Sequence, residues 1–209
     1  MKEFPEAAQY IMDCNHWFDP KNPKALELKK KVEAKGEFYT YEVYMNYTSV
    51  LLLARTMQQQ RIRPKGIYSV LGGAASSYKF VKEFPEVAQY IMDCNHWFDP
   101  KNPKALALKK KIEDKGEFYT YEVYMNYSCI LLLADALERA ASADRAKIIS
   151  AMESSTFTGH VMPYGPTKFV NGQNQGAAPV NTQVIDKDIQ VIFPAAFASA
   201  KAVFPMPPA

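Results

Sequence analysis

Glu117-Phe118-Tyr119-Thr120-Tyr121-Glu122-Val123-Tyr124-Met125-Asn126-Tyr127 runs on into Leu131-Leu132-Leu133-Ala134-Asp135-Ala136-Leu137-Glu138, and the reading of this 209-residue chain turns on that stretch. Phe118, Tyr121, Met125, Cys129, Leu132, Ala136 and Leu137 recur at three- and four-residue spacing, the period of one helix face. The spacing predicts the longest helix of the chain over about 117–140. Aromatics at helical spacing are core residues first. Together with Trp97 and Phe98, however, the stretch holds more tyrosine hydroxyls than one core face can satisfy. The residues alone leave core and cleft both open. In a cleft for a small ligand, Glu122 and His96 would be the polar handles.

Upstream, Asp99-Pro100-Lys101-Asn102-Pro103 is a turn cluster. It opens a helix over 104–115 with Ala105, Leu106, Leu108 and Ile112 facing inward, and Gly116 stops it. Ile67–Leu71 reads as a short buried strand ending in a glycine turn. Ser76 or Ser77 caps a helix over 78–83, Pro85 restarts it through Met92, and Cys94–Phe98 is extended. Downstream, Ser142 starts a helix over 143–154. Thr182–Ile185 and Ile189–Phe193 flank Asp186-Lys187-Asp188 as a hairpin, with Thr167–Val170 a further strand. The tail from Phe204 to Pro208 reads as a loose end.

The decisive stretch occurs twice. Lys2–Ala54 and Lys82–Ala134 align without gaps at an offset of 80, with 46 identities over 53 positions. Surface lysines and loop prolines match as closely as apolar positions do, whereas a stacked repeat keeps its core and lets its surface drift. Two units are also fewer than a solenoid needs. The pattern points to a fusion of related pieces. It divides the chain into residues 1–64, a truncated first copy with a polar junction from Arg55 to Pro64, and residues 65–209, which contain the second copy.

A hydrophobic content of 48% and a net charge of +3 fit a globular chain. The lysine runs 29–31 and 109–111 read as solvated helix faces, so no nucleic-acid partner is expected. No apolar run reaches the length of a membrane span. The segment Met1-Lys2-Glu3-Phe4-Pro5 lacks the apolar region of a signal peptide. Three cysteines, two of them copies of one position, make no disulfide framework. Cys94-Asn95-His96 and its twin Cys14-Asn15-His16 fall short of the four ligands of a zinc site. No metal, no cofactor and no enzymatic activity are expected. The sequons at Asn46 and Asn126 lie inside predicted helix and read as chance.

Taken in order, strand 67–71, the extended run to Phe98, the Asp-Pro turn, helix 104–115, the long aromatic helix and the terminal hairpin resemble the C-terminal part of an ABC-transporter solute-binding protein. The resemblance is to the branched-chain amino acid type, with the type I periplasmic-binding fold. It covers about two thirds of the chain. It implies an α/β fold, here partial and helix-rich, with a C-terminal β-hairpin and a duplicated helical segment. It also implies an amino acid or small aromatic acid as ligand, an ABC permease as partner and a periplasmic location. By position in the resemblance, Tyr121 and Glu122 face the ligand, with Tyr41 and Glu42 their twins. His96 and Trp97 lie near the hinge, and Tyr119 adds an aromatic face. An incomplete sheet with open edges predicts a homo-oligomer. The alternatives are a fused remnant that folds as an oligomer without binding, and a helical protein-interaction module.

Overall fold

The computed structural model describes residues 21, 23–35, 48–62, 64–70 and 74–207. The chain divides into two compact units, Met1–Thr48 and Ser49–Ala209. In the first, helix α1 (Pro23–Glu33) is described. Its counterpart in the second copy, α5 (Pro103–Glu113), has the same bounds at the offset of 80. Two of the seven differences between the copies exchange ion pairs. Lys31 meets Glu27 at 2.6 Å in α1, where the second copy has Ala107. Lys110 meets Asp114 at 2.8 Å in α5, where the first copy has Ala34. Each helix thus keeps one i,i+4 pair. Tyr41 and Glu42, the remainder of the first copy's aromatic stretch, and Cys14–His16 lie outside the described residues.

The second unit is built on a four-stranded mixed sheet of order β1-β2-β5-β6. Strand β1 (Tyr68–Val70) runs parallel to β2 (Met92–Asn95), with Tyr68 opposite Met92. A crossover joins them through a 3₁₀ turn (Ala74–Ser76) and helices α3 (Tyr78–Glu83) and α4 (Pro85–Ala88). Phe80 and Val81 are fully buried, fixing α3 in the core. Strand β5 (Val180–Ile185) pairs antiparallel with β2 and with β6 (Asp188–Phe193). The hairpin turn is Asp186-Lys187, with φ of 52° and 63°. Two successive left-handed residues match the strand twist. Strands β3 (Phe169–Val170) and β4 (Gln173–Asn174) form a second small ladder across Asn171-Gly172.

Five expectations from the sequence are corrected. Met92 is in a strand, not at the end of a helix, because α4 stops at Ala88 and Tyr90 turns left-handed (φ 66°). The long helix α6 (Tyr121–Ala140) starts four residues later than its periodicity suggests. Residues 117–120 stay outside it, and Tyr119 is fully buried. The buried face of α6 is Tyr124, Ser128 and Ala136, while Cys129 and Leu137 are exposed, as is Leu106 on α5. Helix α7 (Arg145–Glu153) is capped by Asp144, whose Oδ1 accepts from Lys147 N at 3.1 Å; Ser142 accepts one step earlier, from Asp144 N.

The fifth correction concerns the tail, which is tied down. The buried Gln183 amide acts as a peptide partner for Val203. Its Oε1 accepts from Val203 N at 2.8 Å, and its Nε2 donates to Val203 O at 2.9 Å and to Tyr90 O at 3.0 Å. Met206 N then donates to Lys65 O at 2.7 Å. Replacing Gln183 with Ala leaves the Tyr90 and Val203 carbonyls and the Val203 amide without this partner, at a cost of about 2–3 kcal/mol. Gln183→Ala should therefore lower the urea midpoint and open the chain to carboxypeptidase from Ala202 onward. Unchanged digestion would show that the tail is held by other contacts.

Candidate functional site

Strand β2 ends at Asn95, and the chain continues extended through His96, Trp97 and Phe98. Helix α6 comes down on this segment: the Tyr124 hydroxyl donates to the His96 carbonyl at 3.1 Å. Around that bond five rings are in contact. Trp97 lies 5.6 Å from Tyr78, 5.4 Å from Phe98 and 5.7 Å from Tyr124, measured between ring centroids. Phe98 meets Tyr119 edge-on at 5.0 Å, and Tyr119 meets Tyr124 at 5.2 Å. The Lys109 ammonium sits 4.7 Å above the Tyr78 ring, so part of the second lysine run covers aromatic surface.

The five residues singled out in the sequence divide into two groups. Trp97 is 1% exposed and Tyr119 is fully buried; their faces are spent on neighbouring rings. His96, Tyr121 and Glu122 are half-buried. Tyr124 stands one turn after Tyr121, so its bond to His96 brings the start of α6 to the carboxyl end of β2. Burial, then the neighbouring Glu122 carboxylate, pushes the Tyr121 hydroxyl pKa up. The phenol is thus a neutral donor at physiological pH. Burial alone holds His96 below the ordinary histidine value.

Two buried polar groups are notable, and the sequence did not single out the first. Asn95 is buried; its Oδ1 accepts from His96 N at 2.8 Å, while its Nδ2 has no partner among the described residues. The Tyr119 hydroxyl is likewise buried and unpartnered. Asn95 sits beside His96 in the Cys-Asn-His run, within the segment that the sequence reads as extended. A cavity of about 330 Å³ bounded by Ala54 and Met206 and one of about 460 Å³ bounded by Glu153 and Phe169 have none of the five residues in their walls.

Residues 66–189 match the family described as periplasmic binding protein. The chain belongs to that family. It is one of substrate-binding components of transporters rather than enzymes. Two solved structures share the fold. A leucine-binding protein of Thermotoga maritima matches at 21% identity and a TM-score of 0.54, over 70% of this chain and 41% of its own. A putative branched-chain amino acid ABC transporter protein of Silicibacter pomeroyi matches at 17% identity and a TM-score of 0.60, over 75% of this chain and 45% of its own. The chain thus spans less than half the length of either structure. No curated protein matches the sequence. The type I periplasmic-binding fold is present in part, with the sheet, the crossover and the terminal hairpin arranged as the resemblance implied. Among the described residues of this periplasmic binding protein, no helix is long and apolar enough to cross a membrane.

The histidines give the chain a pH dependence. His160 is buried, its Nε2 3.0 Å from the Gly165 carbonyl and its Nδ1 accepting from Met162 N at 3.3 Å. That arrangement needs the neutral ring with its proton on Nε2. Burial holds His160 low, as it does His96, and outweighs the bonds to Gly165 and Met162. Between the folded and unfolded pKa values the unfolded chain binds more protons, so stability is full above about pH 6.5 and falls as the pH drops through the folded values. The urea midpoint should fall between about pH 7.5 and about pH 5.5, and fall less in His160→Gln. An equal fall in wild type and variant would assign the acid sensitivity to other groups.

Proposed function

We propose that residues 65–209 are the C-terminal part of the solute-binding component of an ABC importer. The ligand is an amino acid or a small aromatic acid, held where the carboxyl end of β2 meets the first turn of α6. The Tyr124–His96 hydrogen bond carries this reading, because it joins the two elements that a ligand would bridge. In open α/β sheets ligands bind outside the carboxyl ends of strands. The amide groups of the first turn of α6 favour an anionic group. Tyr121 and Glu122 stand in that turn, with His96 and the unpartnered Asn95 Nδ2 on the strand side. Trp97 and Tyr119 hold the two elements together from behind. Glu122 opposes a bare carboxylate and suits an ammonium, so an amino acid fits better than a diacid. The leucine-binding and branched-chain titles of the two similar structures agree with that chemistry. A permease partner and a periplasmic location follow from the same reading.

Ile130, Leu133 and Leu137 form an exposed stripe along α6, with Ile130 at 66% exposure. Such a stripe favours a homo-oligomer, which light scattering should place at twice 23.6 kDa or more; a monomer at micromolar concentration would refute this part.

Leucine, valine, isoleucine, benzoate and 4-hydroxycinnamate, tested by thermal shift against wild type and Tyr121→Ala, address the site. At about a hundredfold excess over its dissociation constant, a matching ligand adds about 2.7 kcal/mol to the stability of the wild type. Tyr121→Ala should lose most of that gain. Equal shifts in both proteins would put the site elsewhere, and no shift with any compound would favour the non-binding remnant.

A further inference from the structure

The cavity of about 330 Å³ lies between the segment from Ala54 to Pro64 and residues at the start of the second copy. Helix α2 (Thr48–Gln59) ends there, its Ala54 buried and its Arg55 guanidinium 4.6 Å above the Phe84 ring. Beyond it Arg61 takes the left-handed conformation (φ 54°) and Ile62 N returns to Met57 O at 2.8 Å, closing the helix end. This turn brings Ile62 into the wall beside Met57. Ile67, Val87 and Met206 complete an apolar lining, from the lead-in to β1, from α4 and from the tail that Gln183 holds down. The volume is within the range of small-molecule pockets, at its lower end.

The charged groups of the wall are unequal. Glu86 is paired with the Lys187 ammonium at 3.0 Å. The Arg61 guanidinium has no hydrogen bond or ion pair among the described residues. Among the described residues, the cavity therefore combines an apolar lining with an uncompensated cation able to take a carboxylate in a two-pronged hydrogen bond. Gln58 and Arg61 lie beyond Ala54, where the match between the copies ends, and the residues 80 positions on are Glu138 and Ala141. The cation belongs to the junction and is not repeated.

We propose that this junction cavity binds an amphipathic monocarboxylate, its apolar tail between Met57, Ile62, Val87 and Met206 and its carboxylate on Arg61. The site is separate from the one at the start of α6, and the proposal does not depend on that reading. Isothermal titration of the full chain with octanoate and with 1-octanol tests it. Octanoate should bind saturably, and more tightly than octanol. Arg61→Gln should weaken octanoate about tenfold, the loss of one charge-assisted contact, and leave octanol unchanged. Met57→Trp, which fills the cavity, should abolish both; Tyr121→Ala should change neither. Arg61 is exposed, so its variant carries the test even if Met57→Trp fails to fold. No saturable binding up to about 10 mM, equal binding of octanoate and octanol, or octanoate binding unaffected by Arg61→Gln would overturn the proposal.

Discussion

The second unit depends on the packing of Trp97. The chain leaves the sheet at Asn95, and within three residues it meets both the crossover helix α3 and the long helix α6. The indole makes the connection. It contacts Tyr78 on the crossover helix, Phe98 beside it in the chain and Tyr124 on the longest helix. Rings in tilted and edge-on contact contribute beyond the area they bury. Removing such a side chain from a closed core costs about 3–5 kcal/mol, a large share of the stability of a domain this size. The Tyr124–His96 bond fixes the register of the contact, since it ties a particular turn of α6 to a particular peptide of the strand segment.

The polar interior does the corresponding work inside the sheet. The Asp93 carboxylate, fully buried on β2, accepts from Ser69 on β1 at 2.9 Å and from Ser76 in the 3₁₀ turn. Ser76 also lies 3.3 Å from Thr182 Oγ1 on β5. One carboxylate therefore fastens three segments around the start of the crossover. Left without these donors, it would carry the desolvation penalty of a buried charge. Ser76 is occupied in this way and Ser77 makes no side-chain cap bond, so α3 is held by Phe80 and Val81 in the core rather than by its first residue.

Much of this was legible in the residues. The hairpin followed from alternation around Asp186-Lys187, and the presence of α5 from the Asp-Pro turn cluster before it and Gly116 after it. The elements that escaped are those set by distant partners. Met92 looks like the end of a helix locally, and becomes a strand residue because β1 and β5 offer Met92–Asn95 ladders on both sides. The tail has no pattern of its own, and its order comes from a glutamine twenty residues earlier. Periodicity gave α6 an apolar face but chose a neighbouring one, because a tyrosine can pack as core while its hydroxyl bonds a carbonyl. The same ambiguity governed the candidate site. Tyr121 and Glu122 were named from their position in the family resemblance, not from the periodicity of the helix. That Trp97 and Tyr119 are enclosed while His96 is half open depends on which rings meet, and spacing does not carry that.

If the aromatic cluster makes sheet and helices one cooperative body, they must open together. Native-state hydrogen exchange measures this directly. In the wild type, the amides of Tyr124–Ser128 on α6 and Thr182–Val184 on β5 should exchange with the same opening free energy. Trp97→Ala should lower both and let α6 exchange first. If α6 already exchanges far faster than β5 in the wild type, the helices are a separate body and the central role given to Trp97 is wrong.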